Sequence, residues 1–343
     1  MAIKDTVIQV KNLIAKYGAD GVRVGMLLCS AAGNDLLFDE NLTEQGRNFS
    51  NKIWNAFRLV KGWTVDENLT QPKAAEAAVV WFNNMLNREI AQIDDDFAKY
   101  RLSEALMNVY KLFWDEFSSW FLEMVKPGYQ QPIDKKTYES VLEIFEKMLA
   151  LLHPFMPFIT EELWHLIGER KAGESLMISP MPKAQKFDSQ ILEQFELMKE
   201  VIAGVRNIRQ EKNIPNKESL TLKIKSSTSL GIGNESIMVK LAGLEKLDYI
   251  SEKLEGAASF MVKSTEFYVP IDGFINVAEE IARLKAELDY SKGFLESVIR
   301  KLSNERFVSG APAQVVETEK RKQADAEVKI KVIEERLKAL SAN

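Results

Sequence analysis

Apolar residues recur with the 3.6-residue period of an α-helix through most of the first two thirds of the chain. This spacing predicts a mainly α fold built on a bundle of amphipathic helices. Prolines interrupt the pattern at the points where such a bundle would turn. The predicted helices cover residues 48–60, 73–94, 102–125, 135–152, 161–167 and 189–212.

The pattern changes after Pro215, where apolar and polar residues begin to alternate. Alternation of this kind is typical of strands with one buried face. It predicts strands at residues 219–225, 246–250, 258–263 and 266–271, with a short helix at 235–242. We therefore expect a small α/β module over residues 216–273.

The last seventy residues carry a heptad pattern. Ile281, Leu288, Leu295 and Leu302 are spaced seven residues apart, and Leu284 and Val298 occupy intermediate seam positions. A second apolar series follows a short connection that contains glycine and proline, and it consists of Ile330, Ile333, Leu337 and Leu340. Two heptad helices joined by so short a turn should form an antiparallel coiled-coil hairpin. The sequence thus predicts an arm over residues 274–343.

Composition narrows the class of protein. The 343 residues are 46% hydrophobic and 28% charged, with a net charge of −5, as expected for a soluble globular protein. No apolar run is long enough for a membrane span, and the first residues do not resemble a secretory signal, so we expect a cytoplasmic protein with no membrane partner. One cysteine and two histidines exclude an internal disulfide and argue against a zinc site. We expect no metal site and no cofactor in this chain.

Charge alone says little about what the arm binds. Lys and Arg slightly outnumber Asp and Glu from residue 280 onward. Such a small excess is compatible with a solvated coiled coil whose flanking charges pair with each other. Three acids at residues 94–96 could suggest a metal site, but consecutive residues point in different directions on a helix. A helix cap or a loop is the simpler interpretation.

Several motifs resemble one enzyme class. His153-Pro154-Phe155-Met156-Pro157-Phe158-Ile159-Thr160-Glu161-Glu162-Leu163-Trp164 resembles a hallmark of the anticodon-binding domain in class I synthetases for aliphatic amino acids. In that family the segment packs the bundle, and here we expect Thr160 to cap a helix. Residues 17–23, 33–38 and 46–55 resemble the elements that end the catalytic half and open the anticodon domain.

The connection within the arm is similar to that of the valyl-tRNA synthetases. Asn304, Phe307, Val308, Ala311 and Pro312 match an N-x-x-F-V-x-x-A-P turn that joins the two helices of the family's tRNA-contacting arm. The isoleucyl relatives usually end in a cysteine-bearing zinc module, which a single cysteine cannot form. The resemblance therefore favours the valyl family and extends from about residue 17 to residue 340.

This resemblance implies that the chain contains the tRNA-binding domains of an enzyme but not its catalytic site. The family's adenylation signatures, H-I-G-H and K-M-S-K-S, are absent, as is its editing domain. We expect a C-terminal portion that begins just after the K-M-S-K-S region and has no catalytic residues. It would comprise the end of the stem region (1–40), the anticodon-binding bundle (41–215), the α/β module (216–273) and the arm (274–343). The intact enzyme would join valine to tRNA(Val) with ATP and Mg²⁺.

The resemblance also suggests which residues contact tRNA(Val). Those expected in the bundle are Arg47, Asn48, Asn51, Lys52, Asn55, Arg58, Arg206, Arg209 and Lys212. Those expected in the arm are Arg300, Lys301, Arg306, Lys320, Arg321 and Lys322. Cations suit phosphates, whereas amides suit base edges.

Alternatives stay open at this point. Arg47 and Asn48 could instead brace the bundle against the catalytic half, and the basic face of residues 206–212 could pair with acids such as Glu211. For the whole chain we expect a monomer that works with the rest of a synthetase. The other hypothesis is a stand-alone structural or protein-interaction coiled coil without an RNA role.

Overall fold

The structure is a computed structural model that describes residues 2–29, 38–227, 229–271, 277–303 and 313–341. The chain divides into two compact units. The first comprises Met1–Gln210, Pro215–Leu254 and Ser259–Val269, and the second comprises Glu211–Ile214, Glu255–Ala258 and Pro270–Asn343. The mainly α fold, with its helical bundle, small sheet and two-helix arm, is the predicted one.

The helices of the bundle are α1 (Ala2–Cys29), α2 (Glu40–Lys61), α3 (Lys73–Ala98), α4 (Leu102–Lys111), α5 (Leu122–Val125), α6 (Lys135–Leu152), α7 (Pro157–Ile167) and α8 (Ser189–Glu211). Most of them overlap the predicted ranges, but α1 was not predicted and α2 begins at Glu40 rather than at residue 48. A π-helical segment, Leu112–Phe121, joins α4 to α5 without a break. Asp39 and Asp134 cap α2 and α6 by accepting hydrogen bonds from first-turn backbone N–H groups.

The acids at residues 94–96 lie in the last turn of α3, so the expectation of a cap or a loop is wrong. Asp96 is buried and accepts hydrogen bonds from Asn108 Nδ2 at 2.8 Å and Gln92 Nε2 at 3.2 Å. These bonds compensate for the loss of hydration and hold α4 against the end of α3. A contact with a neighbouring helix thus extends α3 past the acids.

The cap of α7 also differs from the expectation. Thr160 lies inside the helix, where its hydroxyl donates to Met156 O at 2.8 Å. The helix is capped instead by Asp20, whose carboxylate accepts from Ile159 N at 2.8 Å and from Phe158 N at 3.3 Å. Burial raises the pKa of Asp20. The cap therefore comes from α1, 139 residues away along the chain.

Two of the recognised motifs bind each other at this point. Arg23 Nε donates to Phe155 O at 3.1 Å, and its Nη2 donates to Pro154 O at 3.0 Å. Asp20 and Arg23 belong to one motif, and residues 153–164 form the other. Their joint occurrence in the sequence thus reflects one docking contact between α1 and the start of α7.

Helices α1 and α2 cross at glycines. A Cβ added to Gly25 would lie 2.6 Å from Thr43 N, and one added to Gly46 would lie 2.6 Å from Gly21 O. These distances are far below van der Waals contact, so only glycine allows the two backbones to approach so closely. This crossing fixes which face of α2 is buried.

The core of the bundle is rich in aromatic rings. Phe117 lies between Phe113, Phe121 and Phe145, with ring centroids 5.2 to 5.6 Å apart. All four rings are completely buried. Aromatic pairs at these distances add to the stabilisation that burial provides, so the π-helical segment is held by its own core side chains.

The α/β module has the strand order β4-β3-β6-β5. Its elements are β3 (Leu220–Lys225), α9 (Ile232–Ala242), β4 (Leu244–Ile250), β5 (Ala258–Val262) and β6 (Thr265–Val269), and a two-residue pair, β1 (Val65–Asp66) and β2 (Ile133–Asp134), lies apart from it in the bundle. Strand β3 pairs parallel with β4 and antiparallel with β6. The module packs on the bundle, because Gly233 of α9 contacts Ala77 of α3 and Gly204 of α8 contacts the ring of Phe260.

The second unit contains the arm, formed by α10 (Val277–Leu302) and α11 (Ala313–Ser341). The two helices are antiparallel: Lys292 pairs with Glu334 at 2.7 Å, and Lys301 approaches Glu319 at 3.8 Å. Val298, Ala326 and Ile330 are buried along the seam. This is the predicted hairpin, although the turn at residues 304–312 lies outside the described residues. In the described part of the chain, no helix has the length and apolarity needed to cross a membrane.

Candidate nucleic-acid interface

Helix α2 has two different faces. One face is buried against the bundle and carries Phe49, Ile53 and Phe57. The opposite face is exposed and carries Asn48, Asn51, Asn55 and Arg58. Steps of three and four residues place these four side chains in one stripe. No hydrogen bond or ion pair joins them to another described residue, so the stripe can bind an external partner.

A cation and two stacked aromatic rings lie beside this stripe. The amine of Lys52 is 5.2 Å from the ring centroid of Trp114, and Trp114 stacks on Tyr110 with centroids 5.5 Å apart and an interplanar angle of 15°. Both rings are half-buried. The remaining exposed ring surface and the ammonium can stack on a base and bind its phosphate.

Arg47 is half-buried, unlike the four exposed residues of the stripe. Its Nη2 donates to Glu44 Oε1 at 3.0 Å, and the guanidinium lies 5.5 Å from the ring of Tyr17 on α1. Glu44 lies on α2 itself, so only the contact with Tyr17 joins α2 to α1. Arg47 thus has partners within this chain, whereas its neighbour Asn48 is exposed. Bracing against the catalytic half stays a prediction for both residues.

The three cations predicted at the end of α8 lie in different surroundings. Arg206 is exposed, donates to Leu241 O at 2.9 Å and lies 5.7 Å from the ring of Trp120. Lys212 is half-buried and belongs to the second unit. Arg209 is only 6% exposed. Arg209 therefore does not share an exposed basic face with Arg206.

The structure does not support the predicted tRNA contact of Arg209. Its Nη1 donates to Glu218 O at 2.8 Å and to Pro215 O at 3.1 Å, and its Nη2 donates to Gly243 O at 2.6 Å. Burial lowers the pKa of Arg209. A guanidinium engaged in this way ties α8 to the α/β module and cannot reach a phosphate. Three-residue spacing on a helix did not reveal this, because the carbonyl partners come from later loops.

Lys199 is a second interior cation, which sequence reasoning missed. Its amine lies 3.0 Å from Glu116 Oε2 and 2.7 Å from Glu196 Oε1, and it is 5.7 Å from the ring of Trp120. Burial raises the pKa of Glu116 even though Lys199 opposes the shift. The pair joins α8 to the π-helical segment. The i, i+3 spacing of Glu196 and Lys199 was the only sequence signal.

The arm cations are exposed on both helices. Arg300 and Lys301 lie in the last turn of α10, and Lys320, Arg321 and Lys322 lie in the first third of α11. Lys322 donates to Glu319 Oε1 at 2.8 Å, and this bond, with Lys301 nearby, lowers the pKa of Glu319. Arg306 lies outside the described residues. In the described ranges no three His, Cys, Asp or Glu side chains are placed to hold a metal ion.

Comparison with known proteins gives this arrangement a class. The family model described as the anticodon-binding domain of tRNA ligase matches residues 80–224, from α3 through β3. The chain therefore carries an anticodon-binding domain of the tRNA-ligase type. A second family model, the valyl tRNA synthetase tRNA binding arm, matches residues 276–341.

Individual relatives agree with the second match. The chain is 59% identical over 333 residues to the valine–tRNA ligase of Parabacteroides distasonis and 55% identical over 329 residues to that of Phocaeicola vulgatus. It is 36% identical over 346 residues to the valine–tRNA ligase of Enterococcus faecalis. The matches cover 96% of this chain but only 37% to 39% of these relatives. The two matched regions are thus an anticodon-binding domain, at residues 80–224, and a tRNA binding arm of the valyl tRNA synthetase type, at residues 276–341.

Proposed function

We propose that this chain binds tRNA(Val) and presents it to the catalytic part of a valine–tRNA ligase. The observation that carries the proposal is the exposed stripe of α2 beside the stack of Lys52, Trp114 and Tyr110. Unpaired bases are recognised by hydrogen bonds to their edges and by stacking on flat side chains. The side chains of Asn51 and Asn55 offer amide donors and acceptors, and Trp114 offers a ring face.

The exposed cations have a different part in the proposal. Arg58 and Arg206 in the first unit, together with the arm cations, are suited to phosphates. Phosphate contacts set affinity and register but carry no sequence information. We therefore assign discrimination to α2 and sequence-independent affinity to the arm.

The activity of the whole enzyme is also part of the proposal. The chain spans less than two fifths of the length of the valine–tRNA ligases it matches. We assign valine, ATP and Mg²⁺ to the other domains of such an enzyme, which would be this chain's protein partner. We expect it to act in the cytoplasm as part of a monomer.

Binding of tRNA transcripts to the 343-residue chain tests the proposal. We expect tRNA(Val) to bind more tightly than the same transcript with a substituted anticodon. Asn51→Ala and Asn55→Ala should each weaken cognate binding by about tenfold and reduce that preference. Arg58→Ala should weaken both transcripts equally and lower the slope of log K against log salt by about 1. Gln194→Ala, an exposed amide on α8, is the matched control.

Equal affinity for both transcripts would refute base reading by this chain. Removal of the arm should weaken both transcripts, with a smaller salt dependence. Unchanged affinity without the arm would refute its role.

The arm's seam is already closed within one chain, because Val298, Ala326 and Ile330 are buried by the hairpin. A concentration-dependent dimer in sedimentation would instead support the interaction-module hypothesis.

A further inference from the structure

The middle of the arm exposes aromatic rings where a coiled coil normally exposes charge. Tyr290 is 75% exposed and Phe294 is 41% exposed, and they lie one helical turn apart on α10. Side chains at i and i+4 share a face, so the two rings flank one surface. We call this surface, with the residues that line it, the aromatic groove. Its lining consists of Tyr290, Ser291, Phe294, Lys322, Asp325 and Ala326.

The groove exists because the seam is underfilled. Position 291 lies seven residues from both Leu284 and Val298, so the heptad calls for a large apolar side chain there. The chain has Ser291 instead, which is 4% exposed, and the facing helix contributes Ala326. Two small residues cannot fill the space between helices, which leaves a groove of about 390 Å³.

Gly293 adds an independent observation. It lies three residues after Tyr290, on the same face, and a Cβ added there would meet no described atom within 4 Å. Glycine inside a helix costs about 1 kcal/mol relative to alanine, and no packing contact requires it here. The open space at Gly293 lies next to Tyr290 and outside the lining of the groove.

The size and charge of the groove point to one kind of occupant. Its volume is at the lower end of the range of small-ligand sites, roughly 300–1,000 Å³, which suits one flat ring system better than a protein helix. Lys322 uses one of its three donors on Glu319, and Lys320 and Arg321 are exposed beside it. Asp325 offers an acceptor for the amino group of a base. Stacking faces, a base-edge acceptor and flanking cations together fit a nucleotide.

We propose that the aromatic groove takes one unpaired nucleotide of the bound RNA, with its base stacked between Tyr290 and Phe294. This inference rests on the proposed tRNA function and adds a mode of binding to it. The arm then holds RNA by stacking as well as by charge. Every base has a flat face, so the contact tolerates sequence differences but requires a base that is not paired within a helix.

The test separates stacking from charge and from apolar area. In the full chain, Tyr290→Leu with Phe294→Leu keeps apolar surface and helix propensity but removes both flat faces. We expect its affinity for a tRNA(Val) transcript to fall by about 5- to 150-fold, with an unchanged salt slope. Tyr290→Phe should bind like the unmodified chain. Lys322→Ala should lower the salt slope by about 1. Ile299→Ala, a 41% exposed apolar residue outside the groove, is the control.

The outcomes are distinguishable. Loss of affinity in the leucine variant, with loss of chemical-probing protection at one nucleotide outside the anticodon, supports the proposal. Unchanged affinity in that variant overturns it while leaving the tRNA function intact. Failure of the unmodified chain to bind tRNA refutes the proposed function itself. A change of association state in sedimentation overturns the inference by making the groove a contact between chains. Far-UV circular dichroism verifies that the helices remain folded.

Discussion

Replacement of Arg209 by methionine tests whether this residue stabilises the fold or contacts a phosphate. Arg209→Met keeps much of the side-chain volume and removes the guanidinium, whose three shortest bonds are 2.6, 2.8 and 3.1 Å long. Hydrogen bonds to charged groups contribute about 1.5 to 3 kcal/mol each, so three bonds set an upper limit of roughly 5 to 9 kcal/mol. Burial of the guanidinium offsets part of this, as its lowered pKa indicates. We expect a net loss of about 2 to 4 kcal/mol.

Urea unfolding followed by tryptophan fluorescence measures this loss. All six tryptophans lie between residues 54 and 164, so the signal reports on the bundle. Arg206→Met is the matched control, because Arg206 is exposed and, among the described residues, hydrogen-bonds only to Leu241 O. The control should change the free energy of unfolding by less than about 1 kcal/mol. In conditions where both variants are folded, Arg209→Met should keep the salt slope of tRNA binding.

The opposite pattern would refute this reasoning. If Arg209→Met unfolded at the same urea concentration as the unmodified chain, its carbonyl contacts would carry no net stability. If it also weakened tRNA binding and lowered the salt slope by about 1, Arg209 would be a phosphate contact after all. The grouping of Arg209 with Arg206 by helical spacing would then be correct.

Four further substitutions test packing and charge within each unit. Gly25→Ala should destabilise the bundle by about 1 to 3 kcal/mol, because its Cβ would overlap the Thr43 backbone, and an unchanged urea midpoint would contradict the close helix crossing. Asp20→Ala should cost about 1 to 2 kcal/mol through loss of the α7 cap. Since burial raises the pKa of Asp20 above its ordinary 3.8, the folded chain holds that proton more tightly than the unfolded chain, and ionisation lowers stability as pH rises through this range. Asp20→Asn should remove that part of the pH dependence of the unfolding free energy. A curve that stays parallel to that of the unmodified chain would exclude Asp20 as its source. Glu319 has a lowered pKa, so its contribution to the arm should be lost as pH falls below about 4.5, and Glu319→Gln should flatten the acid side of the helix-content curve measured by circular dichroism.

The apolar pattern was a good guide to the helices because periodicity is a local property. It predicted a helix at residues 135–152, and α6 has these bounds. It predicted one continuous helical stretch at residues 102–125, which the structure shows as α4, the π-helical segment and α5. The seam of the arm could be read in the same way, since a heptad repeat records its partner in its own spacing.

The pattern was less informative about polar groups with distant partners. Thr160 is a residue type that often caps helices, but the cap of α7 comes from Asp20 on another helix. Arg206 and Arg209 share a helix and a charge, yet one is exposed and the other buried. The sequence did not predict the aromatic groove either. The predicted seam positions do not include residue 291, and the facing Ala326 lies on the other helix.

The sequence by itself therefore determined the class of fold, the order of the helices and the family of the two domains. These depend on periodicity and on motifs whose residues are close together along the chain. Only the tertiary structure decided which polar side chains remain available to a partner. Availability depends on what else has been brought within 3 Å of a donor or acceptor, and for Asp20 and Arg209 those groups come from distant parts of the chain. A buried cation must satisfy its donors within the fold, whereas Asn51, Asn55 and Arg58 are exposed and keep theirs available to a partner.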